Sequence, residues 1–579
     1  MTPDEPATTA GPDAPPPARD RRRMFALLTM LLPIALLGLV EGGLRLGGFG
    51  HTYPLFLPDQ DNGYLIVNPQ VIRRFLGSSA DVPKLVIRPV PFERVKPSDT
   101  FRIFVQGGST AAGYPYGYGA SPAGMLQQRL QRTFPQRRIE VVTTAVAAIN
   151  SYTLLDFAPE ILEQEPDAVV IYAGHNEYLG ILGVGSKFSV GRRRPLVMAF
   201  LQLENVRILQ LGQRLLGAVR PEAERQPAHT LMARIAAEDR IPLGSELYRR
   251  GLAQFRANLR ALLRRYREAG VPVFLGTLVS NERGLPPFIG GHREGADVHT
   301  WQRHLTLGHR MLGTGYPDKA LEHFDRALAV DDLHAEGHFA RGQALDALSR
   351  FEEAREAYLA AKDRDELRFR APEEIDAILR QVAEEQGAHV VEVREAFRRE
   401  SPNGIVGNEL MLEHLHPNVD GYFLLADAFY RALQEHGAIG SWARAIPRER
   451  AREEIPLTEV DRLYGEYRIG KLTSDWPFTE QPRRYRLPEP ENPVERIARG
   501  FYRGTYPWPE AMRRLLDHYR AHHEWAKAAQ VAVLLAEAFP YREDDQATAA
   551  ELLRRTDQPG VEVYLSRAQA PSRVSSAKD

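Results

Sequence analysis

The chain has 579 residues, 43 % hydrophobic and 26 % charged, with a formal net charge of −1. That length predicts several domains, and the balanced charge gives no basis for a nucleic-acid partner. It contains no cysteine, which excludes disulfides, a lipobox, thiolate metal sites and a thiol nucleophile.

Residues 1–23 read as a disordered basic N-terminus. The first 18 are rich in Pro, Ala, Thr and Asp, and Arg19, Arg21, Arg22 and Arg23 follow or close that stretch. Met24 to Val40 then run 17 residues without a charge, and the weakly polar "EGGLRLGGFG" extends them. Residues 24–46 are therefore expected to cross a membrane. Arginines before the span and few basic residues just after it predict the N-terminus in the cytoplasm and the rest outside, in the periplasm of a bacterial-type envelope. A cleaved signal peptide is the rival, but no clean A-x-A site follows.

From 95 to 300 short apolar runs alternate with helical patterns. "FRIFVQ" at 101–106 reads as a buried strand, and 121–134 as a helix with Ser121 as N-cap and Pro122 in its first turn. Strand-like 138–146, helical "SYTLLDFAPEILEQE" and strand-like 166–174 follow. A long amphipathic helix, "SELYRRGLAQFRANLRALLRRYREAG", leads into a strand at 271–279, and "PEEIDAILRQVAEEQGA" leads into another at 389–393. That order predicts an α/β fold, a parallel sheet with helices on both faces.

Two insertions interrupt the pattern. Residues 180–243 include a basic start and an apolar helical run, read as a lid or helical pair, with a membrane-surface contact as the second reading. Residues 301–370 contain a repeat: Gly308 pairs with Gly342, Ala320 with Ala354, Phe324 with Tyr358 and Ala327 with Ala361, each 34 apart. That period resembles two tetratricopeptide repeats, a surface for a protein partner. Residues 371–440 return to the sheet, and 441–579 read as a helical region. A looser third repeat lies there, marked by Tyr519, Ala528 and Pro540.

The first strand runs into "GGST", where Ser109 is either a turn residue or a nucleophile. In a parallel sheet the loops after successive strands converge on one edge. That brings Ser109, the Ala147–Asn150 turn, and His175, Asn176 and Glu177 together, and a His-Pro turn can add Glu413, His414 or His416. Serine, histidine, carboxylate and amide donors are what acyl transfer needs. A helix soon after Ser109 would add a favourable dipole.

"GGST", "AVAAINS", "GHNE" at 174–177 and "EHLH" at 413–416 stand in the order of the four blocks of the SGNH/GDSL hydrolases, which the chain resembles over about 100–178, 245–300 and 370–435. The resemblance implies a three-layer, flavodoxin-like sheet. It implies Ser109 as nucleophile, His416 as base, and Glu413 as the acid orienting it. Asn176 and the backbone N–H groups of Ser109 and Ala148 would form the oxyanion hole. Pro417 follows His416 and supports it over His414. Gly108, Ala148, Glu177 and Glu413 depart from the family's Asp, Gly, Asp and Asp.

Tyr114, Tyr116, His175 and Arg370 are possible substrate contacts. No metal and no cofactor is expected: the 17 histidines are scattered, and no H-E-x-x-H occurs. The expected activity is hydrolysis of an ester carried by a small molecule, a lipid or an envelope glycan. Acyl transfer to such a glycan is the variant, and a repeat scaffold on an inactive sheet domain is the contrast.

Overall fold

A computed structural model of the chain describes residues 18–59, 63–76, 90–189, 191, 193–219, 232, 236 and 240–569. The chain divides into two compact units, one made of Met1–Thr52, Gly77–Ala80 and Gln202–Ala223 and the other of the remainder.

The smaller unit holds a helix over Ala18–Leu46 and a second over Arg207–Val219. Phe25–Leu46 contains an 18-residue window with a mean hydropathy of 2.1, none of it buried, and is long and apolar enough to cross a membrane. The helix begins at Ala18, so Arg19–Arg23 are helical rather than disordered as expected. Arginine is a good helix former, and the apolar run behind it propagates the helix backwards. Residues 1–17, the rest of the expected disordered segment, lie outside the described residues.

The larger unit is built on a five-stranded parallel sheet of order β5-β4-β6-β7-β8. The strands are β4 (Thr100–Gly107), β5 (Arg138–Thr143), β6 (Ala168–Tyr172), β7 (Val273–Gly276) and β8 (His389–Val391). β4, β6 and β7 are buried throughout, which is why they read as continuous apolar runs. Helices Pro122–Thr133, Ser151–Leu162, Glu246–Glu268, Glu373–Gln386 and Val419–His436 cover the sheet. Ser121 caps the first of them, its Oγ accepting from Gly124 N at 3.1 Å, with Pro122 in the first turn. Along β5, the Gln127 side chain accepts from Val141 N at 2.8 Å and donates to Ile139 O at 2.9 Å, while Gln131 Oε1 accepts from Ile139 N at 3.1 Å.

A three-stranded antiparallel sheet, β1 (Phe56–Asp59), β2 (Tyr64–Val67) and β3 (Phe92–Glu93), precedes β4. Its strands are too short for their alternation to stand out in the sequence.

Of the first insertion, residues 190, 192, 220–231, 233–235 and 237–239 lie outside the described residues, and Arg194–Leu203 and Arg207–Val219 are helical. The second insertion is four helices, Val298–Gly313, Pro317–Val330, Ala335–Ala347 and Phe351–Arg364. A Cβ at Gly308 would meet the Phe324 ring at 2.4 Å, and one at Gly342 the Tyr358 ring at 2.8 Å. The 34-residue pairing is thus the same helix crossing made twice. From Glu459 to Gln569 six helices enclose their own apolar core, with Tyr519, Ala528 and Leu535 inside it.

Candidate active site

Four loops and one downstream segment meet at the carboxyl end of the sheet. Ser109 follows β4, and His416 Nε2 lies 2.7 Å from its Oγ. His416 Nδ1 is hydrogen-bonded to Glu413 Oε1, and His414 Nδ1 contacts Glu413 Oε2. With Nδ1 donating to a carboxylate, Nε2 is left as an acceptor for the Ser109 hydroxyl proton. Leu415 N also donates to Glu413 Oε2 at 3.2 Å.

Burial alone would push the Glu413 carboxyl up, but the two imidazoles outweigh it and hold the group well below the usual carboxylate range. Burial also pushes His414 down, more strongly than Glu413 pulls it up. These two tendencies conflict, since a neutral His414 cannot lend Glu413 a full charge. The buried setting of His414 decides it: the ring is neutral near pH 7, and its Nδ1 lies against Glu413 Oε2 without making a well-formed hydrogen bond. Phe288, Phe369 and Phe478 surround that ring, with centroids at 5.6, 6.0 and 5.5 Å. The three ligand atoms of Glu413, His414 and His416 lie within 4.8 Å of one another, close enough for a metal ion. Both Nδ1 atoms are instead turned onto the carboxylate.

The donors lie on the neighbouring loops. Asn176 follows β6, and its Nδ2 would be 2.6 Å from a Cβ built at Gly108. Among the described residues, neither this amide nor the N–H of Ser109 or Ala148 has an acceptor. Ala148 has φ +65°, a left-handed conformation that favours glycine. A glycine there would adopt it without strain. Ile181 N donates to Ala148 O and Gly180 N to Asn176 O, both at 2.8 Å, so one turn holds the two loops together. Any side chain at Gly108 would push the Asn176 amide aside.

Glu177 is fully buried and accepts from Ser151 Oγ at 2.9 Å and Ser151 N at 3.2 Å, at the start of the helix that Asn150 caps. Burial raises its pKa to about 8.

Tyr114 packs on His416, ring centroids 4.6 Å apart, and the Arg468 guanidinium carbon lies 4.2 Å from the Tyr114 centroid. Arg468 Nη1 also donates to Pro115 O at 2.9 Å, and Tyr422 OH to Tyr114 O. Tyr116 is buried against Gly465 and Tyr422.

Two expected substrate contacts are engaged elsewhere. His175 is buried, its Nε2 against Val279 O at 3.0 Å and its Nδ1 accepting from Ala371 N at 3.2 Å. Burial lowers its pKa to about 3, so it is a neutral brace between three loops. Arg370 is buried in an ion pair with Asp365 at 2.9 Å, with Asn281, Leu285 and Pro286 carbonyls on its two terminal nitrogens. Single turns follow Ser109, and the helix expected over 121–134 starts at Pro122. Sequence reasoning missed Arg468 and the phenylalanines around His414, which come from distant segments with no spacing signal.

No family model and no curated protein matches the chain. Solved structures similar to it include an acetylxylan esterase from Geobacillus stearothermophilus at 14 % identity, covering 60 % of this chain and 97 % of that one, with a TM-score of 0.27. A GDSL-like lipase from Bacteroides thetaiotaomicron matches at 11 % identity, over 58 % and 88 %, TM-score 0.25. An alpha/beta hydrolase enzyme from the metagenome of Lake Arreo matches at 15 % identity, over 59 % and 97 %, TM-score 0.27. Matches this distant bear on neither substrate nor mechanism.

Proposed function

We propose that the chain is a membrane-anchored serine ester hydrolase of the SGNH type. The supporting observation is the aligned set Ser109 Oγ, His416 Nε2 and Glu413, with 2.7 Å between the first two. Ser109 Oγ attacks the ester carbonyl while its proton passes to His416 Nε2, and Glu413 stabilises the imidazolium. The carbonyl oxygen becomes an oxyanion facing the Asn176 amide and the N–H groups of Ser109 and Ala148. The tetrahedral adduct collapses by breaking the ester C–O bond, and His416 returns the proton to the departing alkoxide. Water, deprotonated by His416, then cleaves the acyl-enzyme and releases the carboxylic acid.

The apolar helix near the N-terminus anchors the chain, and the arginines before it put the hydrolase domain outside the cytoplasm. The four-helix insertion is read as two tetratricopeptide-like repeats able to hold a protein partner.

The test is a fluorophosphonate probe with p-nitrophenyl esters on the detergent-solubilised full chain. Labelling and turnover are expected, and Ser109→Ala and His416→Ala should each lose both. Turnover that a chelator abolishes, in a protein the probe does not label, would sink the serine mechanism in favour of a metal at Glu413, His414 and His416.

A further inference from the structure

The outer end of the membrane helix is tied to a second helix. Glu41 is the first charged residue after the apolar run, and its two carboxylate oxygens accept from Arg207 N and Ile208 N, both at 3.0 Å. It thereby caps the helix Arg207–Val219. Arg45 donates to the Asn205 carbonyl at 3.0 Å. The capped end thus sits where the apolar span stops. Residues 25–40 are exposed throughout, so the second helix leaves the span's end rather than lying along it.

The two sides of this helix differ. At 100° per residue, Ile208, Leu209, Leu211 and Leu215 fall on one half of the wheel, and Arg207, Gln210 and Arg214 on the other. The polar half faces the chain that continues outward from the span. Gln210 Nε2 donates to His51 O at 2.9 Å, and Gln210 Oε1 accepts from His51 N at 3.1 Å. A Cβ at Gly50 would meet Gln210 Oε1 at 2.3 Å and Arg207 Cδ at 2.7 Å, and Arg214 lies over Phe49 at 5.9 Å. The apolar half is turned away from that outgoing segment, and Leu209 and Leu215 are 44 % and 61 % exposed. The outgoing chain lies on one side, and the leucine face on the other stays exposed beside the end of the apolar span. No acidic residue lies between 205 and 219 to oppose an anionic surface.

We infer that Arg207–Val219 is an interfacial helix, lying on the bilayer with its leucine face in the headgroup layer. The chain would then hold the membrane by two attachments, a span and a helix parallel to the surface. This rests on the membrane reading of Phe25–Leu46, which the test below separates from it, and not on the hydrolase reading.

The chain contains no cysteine, so a single introduced cysteine carries a unique spin label. The full chain is reconstituted into vesicles of phosphatidylethanolamine with a minor phosphatidylglycerol fraction, and flotation after an alkaline carbonate wash, which strips surface-bound helices, reports the span alone. Labels are placed on L209C, L215C and, from the polar half, R214C. Power saturation with oxygen and a water-soluble nickel chelate should put the 209 and 215 labels roughly 5–10 Å below the phosphates, and the 214 label in water. Flotation with nickel-accessible labels at 209 and 215 would overturn the inference while leaving the span intact. Protection of those two labels from both reagents would also overturn it, because the face would then be covered by protein. Failure to float would overturn the membrane reading and this inference with it.

Discussion

His414 and His416 hold opposite oxygens of one buried carboxylate, Glu413. If His414 positions Glu413, replacing it by phenylalanine removes the polar group in contact with that oxygen and completes an apolar wall around it. A loss of about 1–3 kcal/mol of support, roughly ten- to hundredfold in kcat, is expected. Glu413 would also protonate at higher pH, since His414 is one of the groups holding it down, so the acid limb of the kcat/KM profile should move up. Asparagine, which keeps a donor, should recover part of both. A lowered melting temperature with an unmoved acid limb would reduce His414 to packing.

Gly108→Ala tests the oxyanion donor. The new Cβ would lie 2.6 Å from Asn176 Nδ2, and the amide is the part able to move. Loss of one such donor costs about 10²–10³ in kcat. The variant should fall in that range with KM little changed, and adding Asn176→Ala should cost almost nothing further. Full activity in Gly108→Ala would show that the amide is not used.

Ala148→Gly should be stabilising. The φ of +65° costs an L-residue about 1–2 kcal/mol, and the freedom glycine gains in the unfolded chain offsets about 0.5–1 kcal/mol of that relief. Denaturant unfolding should show a small net gain with turnover retained, because the N–H remains. Ala148→Val, a branched residue in the same conformation, should go the other way.

Glu177→Gln should flatten the pH dependence of stability. The folded pKa of about 8 lies above the ordinary 4.5, so the folded state holds a proton that the unfolded chain has released. This contribution is complete below pH 4.5 and is lost as pH rises through about 8, at up to about 1.4 kcal/mol per pH unit. His175, lowered to about 3 from 6.5, contributes the opposite slope only below pH 6.5. Between pH 6.5 and 8 the parent should therefore lose stability relative to Glu177→Gln. Parallel curves across that window would refute the buried neutral acid.

Much of the sheet was legible because its strands are buried on both faces and its helices carry clear caps and stripes. "FRIFVQ" and the helix behind Ser121 were placed to within a residue or so. Convergence of loops at one edge of a parallel sheet brings Ser109 towards the Glu413–His416 segment, whereas the choice of His416 over His414 came from the resemblance to the SGNH/GDSL hydrolases. His175 and Arg370 were misjudged because loop position does not reveal whether a polar side chain turns into a cleft or into the backbone around it. Here both satisfy carbonyls or amides of neighbouring loops. Arg468 was invisible because it reaches Tyr114 from a helix more than 300 residues downstream, with no repeat or spacing to connect them.

The glutamines beside β5 have a consequence for solubility. An outer strand with bare amides and carbonyls is a template on which another chain can add itself, the first step towards swapped dimers and fibrils. Gln127 and Gln131 fill part of that template with side-chain amides from the chain's own helix. At the opposite border β8 offers only three residues, too few to nucleate growth. The sheet is thus closed to extension on one side by mimicry and on the other by brevity.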